Sequence, residues 1–190
     1  MRKELILDKT FKGENYTEKA LPIAEYENCA FSNCTFSNTS LSGITFLECV
    51  FEDCDLSMAA LRGTAFRDVI FRGCKMLGLH FDDCNPFLLS FNFEGCTLNF
   101  SSFFKLKLKN IQFVDCKLED VDFVETDLTN AVFKECDLHK AVFDNTILEG
   151  VDFRTAVHFA IDPDSNKIKK AQFSTHNIAG LLLKYNITIV

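Results

Sequence analysis

Residues 113–133 read FVDCKLEDVDFVETDLTNAVF, and the beat inside them decides the fold. Extended in both directions it runs Phe93, Leu98, Phe103, Leu108, Phe113, Leu118, Phe123, Leu128, Phe133, Leu138, Phe143, Leu148, Phe153, with Phe and Leu in strict alternation at every fifth residue. An α-helix, with period 3.6, and a plain strand, with period 2, do not produce this spacing. A repeat so short predicts a solenoid, in which each unit buries its apolar side against the next and none folds alone.

Upstream the same beat starts at Tyr26 and continues through Phe31, Phe36, Leu41, Phe46, Phe51, Leu56, Leu61, Phe66, Phe71, Met76 and Phe81. It slips by two residues at Cys84-Asn85-Pro86-Phe87 and resumes at Leu88. Two residues before most centres stands a small residue, and in eight cases it is Cys. Positions two apart in extended chain share a face, so the small residue and the large centre both point inward. The residue between them and the two that follow are mostly polar and face water, the last two making a corner.

The pattern A/C/T/V-x-F/L-x-x resembles the pentapeptide-repeat family, over about residues 24–156. The resemblance implies an all-β fold: a right-handed quadrilateral parallel β-helix, one pentapeptide per side and four per coil. Residues one coil apart then form columns. One is Phe31, Phe51, Phe71, Phe93, Phe113, Phe133, Phe153; another is Cys34, Cys54, Cys74, Cys96, Cys116, Cys136. Opposite charges also fall together, as in Arg72 with Glu94, Asp55 with Lys75 and Lys107 with Asp127. At about 4.8 Å per coil the rod is roughly 30 Å long.

The ends read differently. Residues 1–25 are weakly patterned and read as a lead-in that covers the first edge, with the β-helix over 26–156 and its slip at 84–87. Residues 157–190 read as a turn, a capping helix N-capped by Ser174, and a closing strand Ile187-Thr188-Ile189-Val190. Ile178, Leu181, Leu182 and Tyr185, at i, i+3, i+4 and i+7, form an apolar stripe on that helix. One last coil cannot bury both stripe and strand, so the surplus predicts a tail-to-tail homodimer, which the resemblance also implies.

The chain has 190 residues, 47% of them hydrophobic, enough for one domain with a large core. The net charge of -7 comes from evenly spread residues, and no basic patch points to direct nucleic-acid binding. No apolar run suits a signal peptide or a membrane span, so the expectation is a soluble cytoplasmic protein.

Chemistry is sparse. The Cys-x4-Cys spacings imitate zinc arms, but they are the repeat's own spacing, and a free Cys is a small, readily buried apolar residue. Asp162, Asp164 and Asn166 begin a calcium loop, yet Lys167 stands where Gly is required and Phe173 where the bidentate Glu belongs. His80, His139, His158 and His176 are scattered along the sequence. The expectation is no catalytic residue, no cofactor, no metal and no enzymatic activity. What remains is the surface, where Phe87, Leu89, Phe100, Phe104 and Val124 fall at outward or corner positions and form a candidate partner patch.

Two functions follow. One is a non-enzymatic β-helix scaffold for an unidentified protein partner. The other comes from the resemblance alone: members of the Qnr type imitate DNA and bind DNA gyrase or topoisomerase IV, which would tie this chain to quinolone resistance. Duplex DNA carries one charge per roughly 1.7 Å, about 18 over this length. A net charge of -7 falls well short, which favours the scaffold.

Overall fold

The five-residue beat becomes the side of a square, and each coil lies parallel on the last. A computed structural model describes residues 3–188. One side of the solenoid is a sheet of four short strands, β1 (Glu4–Leu7), β3 (Ala24–Glu27), β5 (Thr45–Leu47) and β7 (Ala65–Arg67), in that order. The next side is a sheet of seven: β2 (Thr10–Lys12), β4 (Ala30–Ser32), β6 (Val50–Glu52), β8 (Val69–Arg72), β9 (Phe91–Glu94), β10 (Gln112–Val114) and β11 (Val132–Lys134). Single parallel bridges join the other two sides, for example Thr35 with Asp55 and Ser102 with Asp122. The strands stay short because the chain turns every five residues. The second residue after nearly every centre takes a left-handed backbone, as at Asn28, Asn33, Asn38, Asp53 and Asp115. Asn and Asp accept that conformation more readily than other side-chain-bearing residues, which explains their frequency at the corners.

Inside, aromatic rings stack coil upon coil. From Phe11 through Phe31, Phe51, Phe71, Phe93, Phe113, Phe133 and Phe153 to Phe173, successive ring centres lie 4.7–5.4 Å apart and nearly parallel. A second stack, Phe81, Phe103, Phe123 and Phe143, meets the first edge-on, as where Phe103 contacts Phe113 at 83°. Offset stacks and edge contacts are the arrangements that aromatic quadrupoles favour.

At many coils the small inward residue also supplies an internal hydrogen-bond donor. The Cys54 thiol donates to the Phe31 carbonyl at 3.3 Å and Cys136 to the Phe113 carbonyl at 3.3 Å. Where the residue is not Cys, a hydroxyl or amide often does the same. Thr126 Oγ1 donates to Phe103 O at 2.8 Å, Ser101 to Met76 O at 3.0 Å and Asn166 Nδ2 to Phe143 O at 3.0 Å. A buried carbonyl lone pair left unmatched is costly, so Cys, Thr, Ser and Asn substitute for one another here. All nine cysteines are free and buried.

Six features differ from the sequence reading. The coil begins earlier than Tyr26: within residues 1–25, Ile6 pairs with Tyr26 and Phe11 with Phe31. The irregularity sits a little later than 84–87. Cys84 is buried at the small inward position and Asn85 N still donates in register to Thr64 O, so the extra residues bulge at 86–89. Leu88, expected as an inward centre, is 64% exposed with a left-handed backbone, and Phe91 packs edge-on against Phe66 instead. The capping helix is two 3-10 turns, Ile178–Leu181 and Leu183–Tyr185, preceded by Asn177 rather than capped by Ser174. Ile187 and Thr188 form no strand, and Ile189 and Val190 lie outside the described residues. Of the charge pairs, Arg72 meets Glu94 at 3.3 Å and Lys75 meets Asp55 at 3.9 Å, while Asp127 takes Lys109 rather than Lys107, at 3.4 Å.

Candidate interaction surface

With the interior filled by side chains, anything this molecule contacts meets its outer sides. The side whose inward centres are Phe81, Phe103 and Phe123 is unusual. Its outward row runs His80, Ser102, Asp122 and Val142, held in register by parallel bridges. Phe100 occupies the corner before it and Phe104 the corner after it. Between them lies a shallow depression lined by His80, Asp82, Ser102, Asp120 and Asp122. Phe100 has a left-handed backbone, φ 64°, and is 61% exposed. The left-handed backbone is common to the coil corners, so what sets this one apart is a bulky apolar side chain where Asn, Asp or Gly usually stands. Two coils earlier in chain order, Met58 is equally exposed at the equivalent corner. Gly78 between them leaves room for its thioether: a Cβ there would fall 2.6 Å from Met58 Sδ.

The neighbouring groups are fixed. The Lys105 ammonium lies 4.6 Å from the Phe104 ring centre and pairs with Glu125 at 3.5 Å. Val124 follows under Phe104 in the next coil, its N–H donating to Asp122 Oδ1 at 2.8 Å. Asp82 Oδ1 is shut away from solvent without a hydrogen bond, 3.6 Å from His80 Nδ1.

Of the five residues in the sequence-read patch, Phe100, Phe104 and Val124 therefore share one region. Phe87 and Leu89 belong to the bulge. Phe87 is exposed but lies with its ring 5.4 Å from the Arg67 guanidinium, whose Nε has no hydrogen-bond partner, and Leu89 is half-buried against the core. The stripe read at the C-terminus divides as well. A 3-10 turn aligns every third residue, so Ile178 falls with Leu181 and Leu182 with Tyr185. Leu181 packs on the core, whereas Ile178, Leu183, Tyr185 and Ile187 are exposed.

The calcium-like segment holds no vacant carboxylates. The Lys184 ammonium contacts both Asp162 and Asp164 and, by hydrogen bonding, holds the Asp162 carboxyl below its usual range. Asn166 points inward, its Oδ1 accepting from Thr146 N at 2.9 Å.

One cluster escaped the sequence reading. His139, His158 and His176, scattered in sequence, line one open cavity at the C-terminal end with Val157, Phe159 and Gly180. The coil length carried a partial signal, since one coil beyond His139 falls next to His158.

A family model described as "Pentapeptide repeat region" matches residues 24–103 and 87–161. Among solved structures, a trypsin-treated variant of QnrB1, a plasmid-mediated fluoroquinolone resistance protein, superposes with a TM-score of 0.72 at 15% identity, covering 98% of this chain and 92% of that one. A second trypsin-treated QnrB1 variant gives 0.61 at 16% identity, over 98% and 100%. At such identities the likeness is one of fold. No curated protein matches the sequence.

Proposed function

This chain belongs to the pentapeptide-repeat family, and from that premise we propose that it is a non-enzymatic β-helix scaffold that binds a protein partner through the side bearing Phe100, Phe104 and Val124. The observation that carries this reading is Phe100, a large apolar residue held in a left-handed corner and 61% exposed. An exposed aromatic side chain, flanked by half-buried apolar neighbours such as Phe104 and Val124 on a rigid surface, is a typical anchor for protein contacts. The scaffold works as a homodimer joined through the C-terminal turns.

A photo-crosslinking residue placed at Phe100, and separately at the exposed outward position Gln112 on the seven-stranded side, tests it in cells that make the protein. The expected result is a discrete adduct from position 100, absent from position 112 and lost on Phe104→Ser. Equal labelling from both positions argues against this side.

The excess of acids over bases, 27 to 20, on a rod-like fold supports a second reading, a DNA mimic that binds DNA gyrase or topoisomerase IV. On that reading the protein modulates supercoiling at micromolar concentrations, and the effect collapses as salt rises. A supercoiling assay at low and moderate salt separates the two functions, because the scaffold leaves topoisomerase activity unchanged.

A further inference from the structure

Three of the four histidines converge on the cavity at the C-terminal end, and they reach it from three separate parts of the chain. His139 follows the inward Leu138, His158 stands at a corner with φ 59°, and His176 precedes the turn Ile178–Leu181. His158 Nδ1 lies 2.8 Å from Asp137 Oδ1. An ionised carboxylate only accepts, so Nδ1 carries the proton, and in the neutral ring Nε2 keeps the lone pair that a metal needs. A carboxylate behind an imidazole is the usual device for orienting a metal-ligating histidine.

The His139 ring lies 6.2 Å from the His158 ring, at 87° to it. Two imidazoles on one tetrahedral ion, each nitrogen at about 2.0–2.1 Å, put their ring centres about 5 Å apart. The pair must close by roughly 1 Å on that geometry. Among the described residues no three potential ligands already stand close enough to hold an ion. All three rings are exposed, however, and turning them costs no core packing. We propose that His139, His158 and His176 bind one borderline divalent transition-metal ion, for which zinc is the probe, with Asp137 as the positioning partner of His158. Imidazole donors suit zinc, copper and nickel over calcium or magnesium. The buried cysteines do not compete for the ion. A bound ion ties the C-terminal turns to the last coils, because His176 belongs to one and His139 and His158 to the other.

Calorimetric titration of the full chain with zinc chloride tests this, beside cobalt(II) titration followed by absorption. One ion per chain is expected, with binding at least tenfold weaker in each of His139→Asn, His158→Asn and His176→Asn. Asp137→Asn, which keeps the size but not the charge, is expected to weaken binding by about 10–100-fold. Circular dichroism confirms that each variant folds, as exposed positions allow. The cobalt spectrum is expected to lack a sulfur-to-metal charge-transfer band. Absence of one-to-one binding, equal affinity in the histidine variants, or a thiolate band overturns the site. An unchanged affinity in Asp137→Asn overturns the role given to Asp137.

Discussion

Phe113 lies between two parallel rings, Phe93 at 5.3 Å and Phe133 at 4.9 Å, and meets Phe103 edge-on. It is fully buried. Because the columns above and below are pinned by backbone bonds, a cavity here cannot collapse, and Phe113→Ala should cost about 3–5 kcal/mol. Urea unfolding measures it, and a loss below about 1 kcal/mol would contradict the packing. Residues of this kind were the most legible from sequence, since every inward position repeats its neighbour's role. Phe100 was legible only in part. Its position marks it as outward, but the left-handed backbone and the Gly78 clearance beside it depend on the stacked coils.

At the scale of an element, the inward Cys49 and its neighbour Tyr26 carry a pH dependence. Burial pushes the Cys49 thiol up to about 12, and burial raises the Tyr26 phenol to about 12. A thiol in the unfolded chain loses its proton near 8.5. Above that pH the unfolded state releases protons that the folded state still holds, so stability present below about 8.5 is lost progressively towards 12. Unfolding midpoints should fall between neutral and strongly alkaline pH, and Cys49→Ala should flatten the fall. A midpoint independent of pH there would mean the thiols are solvated.

The C-terminal turns are the element where the sequence misled. Spacing of i, i+3, i+4 and i+7 is helical, but the backbone must press Gly180 against Phe159 while Gly180 O accepts from Ile161 N at 3.1 Å. A Cβ on residue 180 would fall 2.5 Å from the Phe159 ring and 2.6 Å from its carbonyl oxygen. The tight approach favours 3-10 turns, which tertiary context imposes over local pattern. Gly180→Ala should therefore cost about 1–3 kcal/mol by overpacking and lift the turns off the last coil. Limited proteolysis should then cut near the C-terminus faster than in the unsubstituted chain; equal rates would show that the turns re-pack. The bulge at 86–89 was half legible for a related reason. A slip of two counts the extra residues without saying where they leave the coil, and the in-register bond from Asn85 decides it.

The whole molecule ends in apolar surface that its own coils do not cover. Ile178, Leu183, Tyr185 and Ile187 are 48–61% exposed, and no residue of either 3-10 turn is buried. At the opposite end β1 presents Leu5 and Leu7 to solvent too, but there the strand's polar backbone is an edge that invites extension of the sheet. The C-terminal surface has no free strand among the described residues, only side chains, and in the homodimer proposed above it buries its apolar area against a like surface. A two-fold axis does this in one step, because each exposed side chain then faces its own copy or a neighbour of it. The proposed homodimer is a tail-to-tail rod about twice as long as one chain. Light scattering at tens of micromolar should give twice the 21.6 kDa chain mass. Ile178→Glu combined with Tyr185→Glu places like charges across the axis and should leave a folded monomer, since neither side chain supports the core. Removing residues 174–190 should give monomer or aggregate. A full-length chain that stays monomeric at that concentration would falsify the dimer, and the surplus surface would then need a different partner.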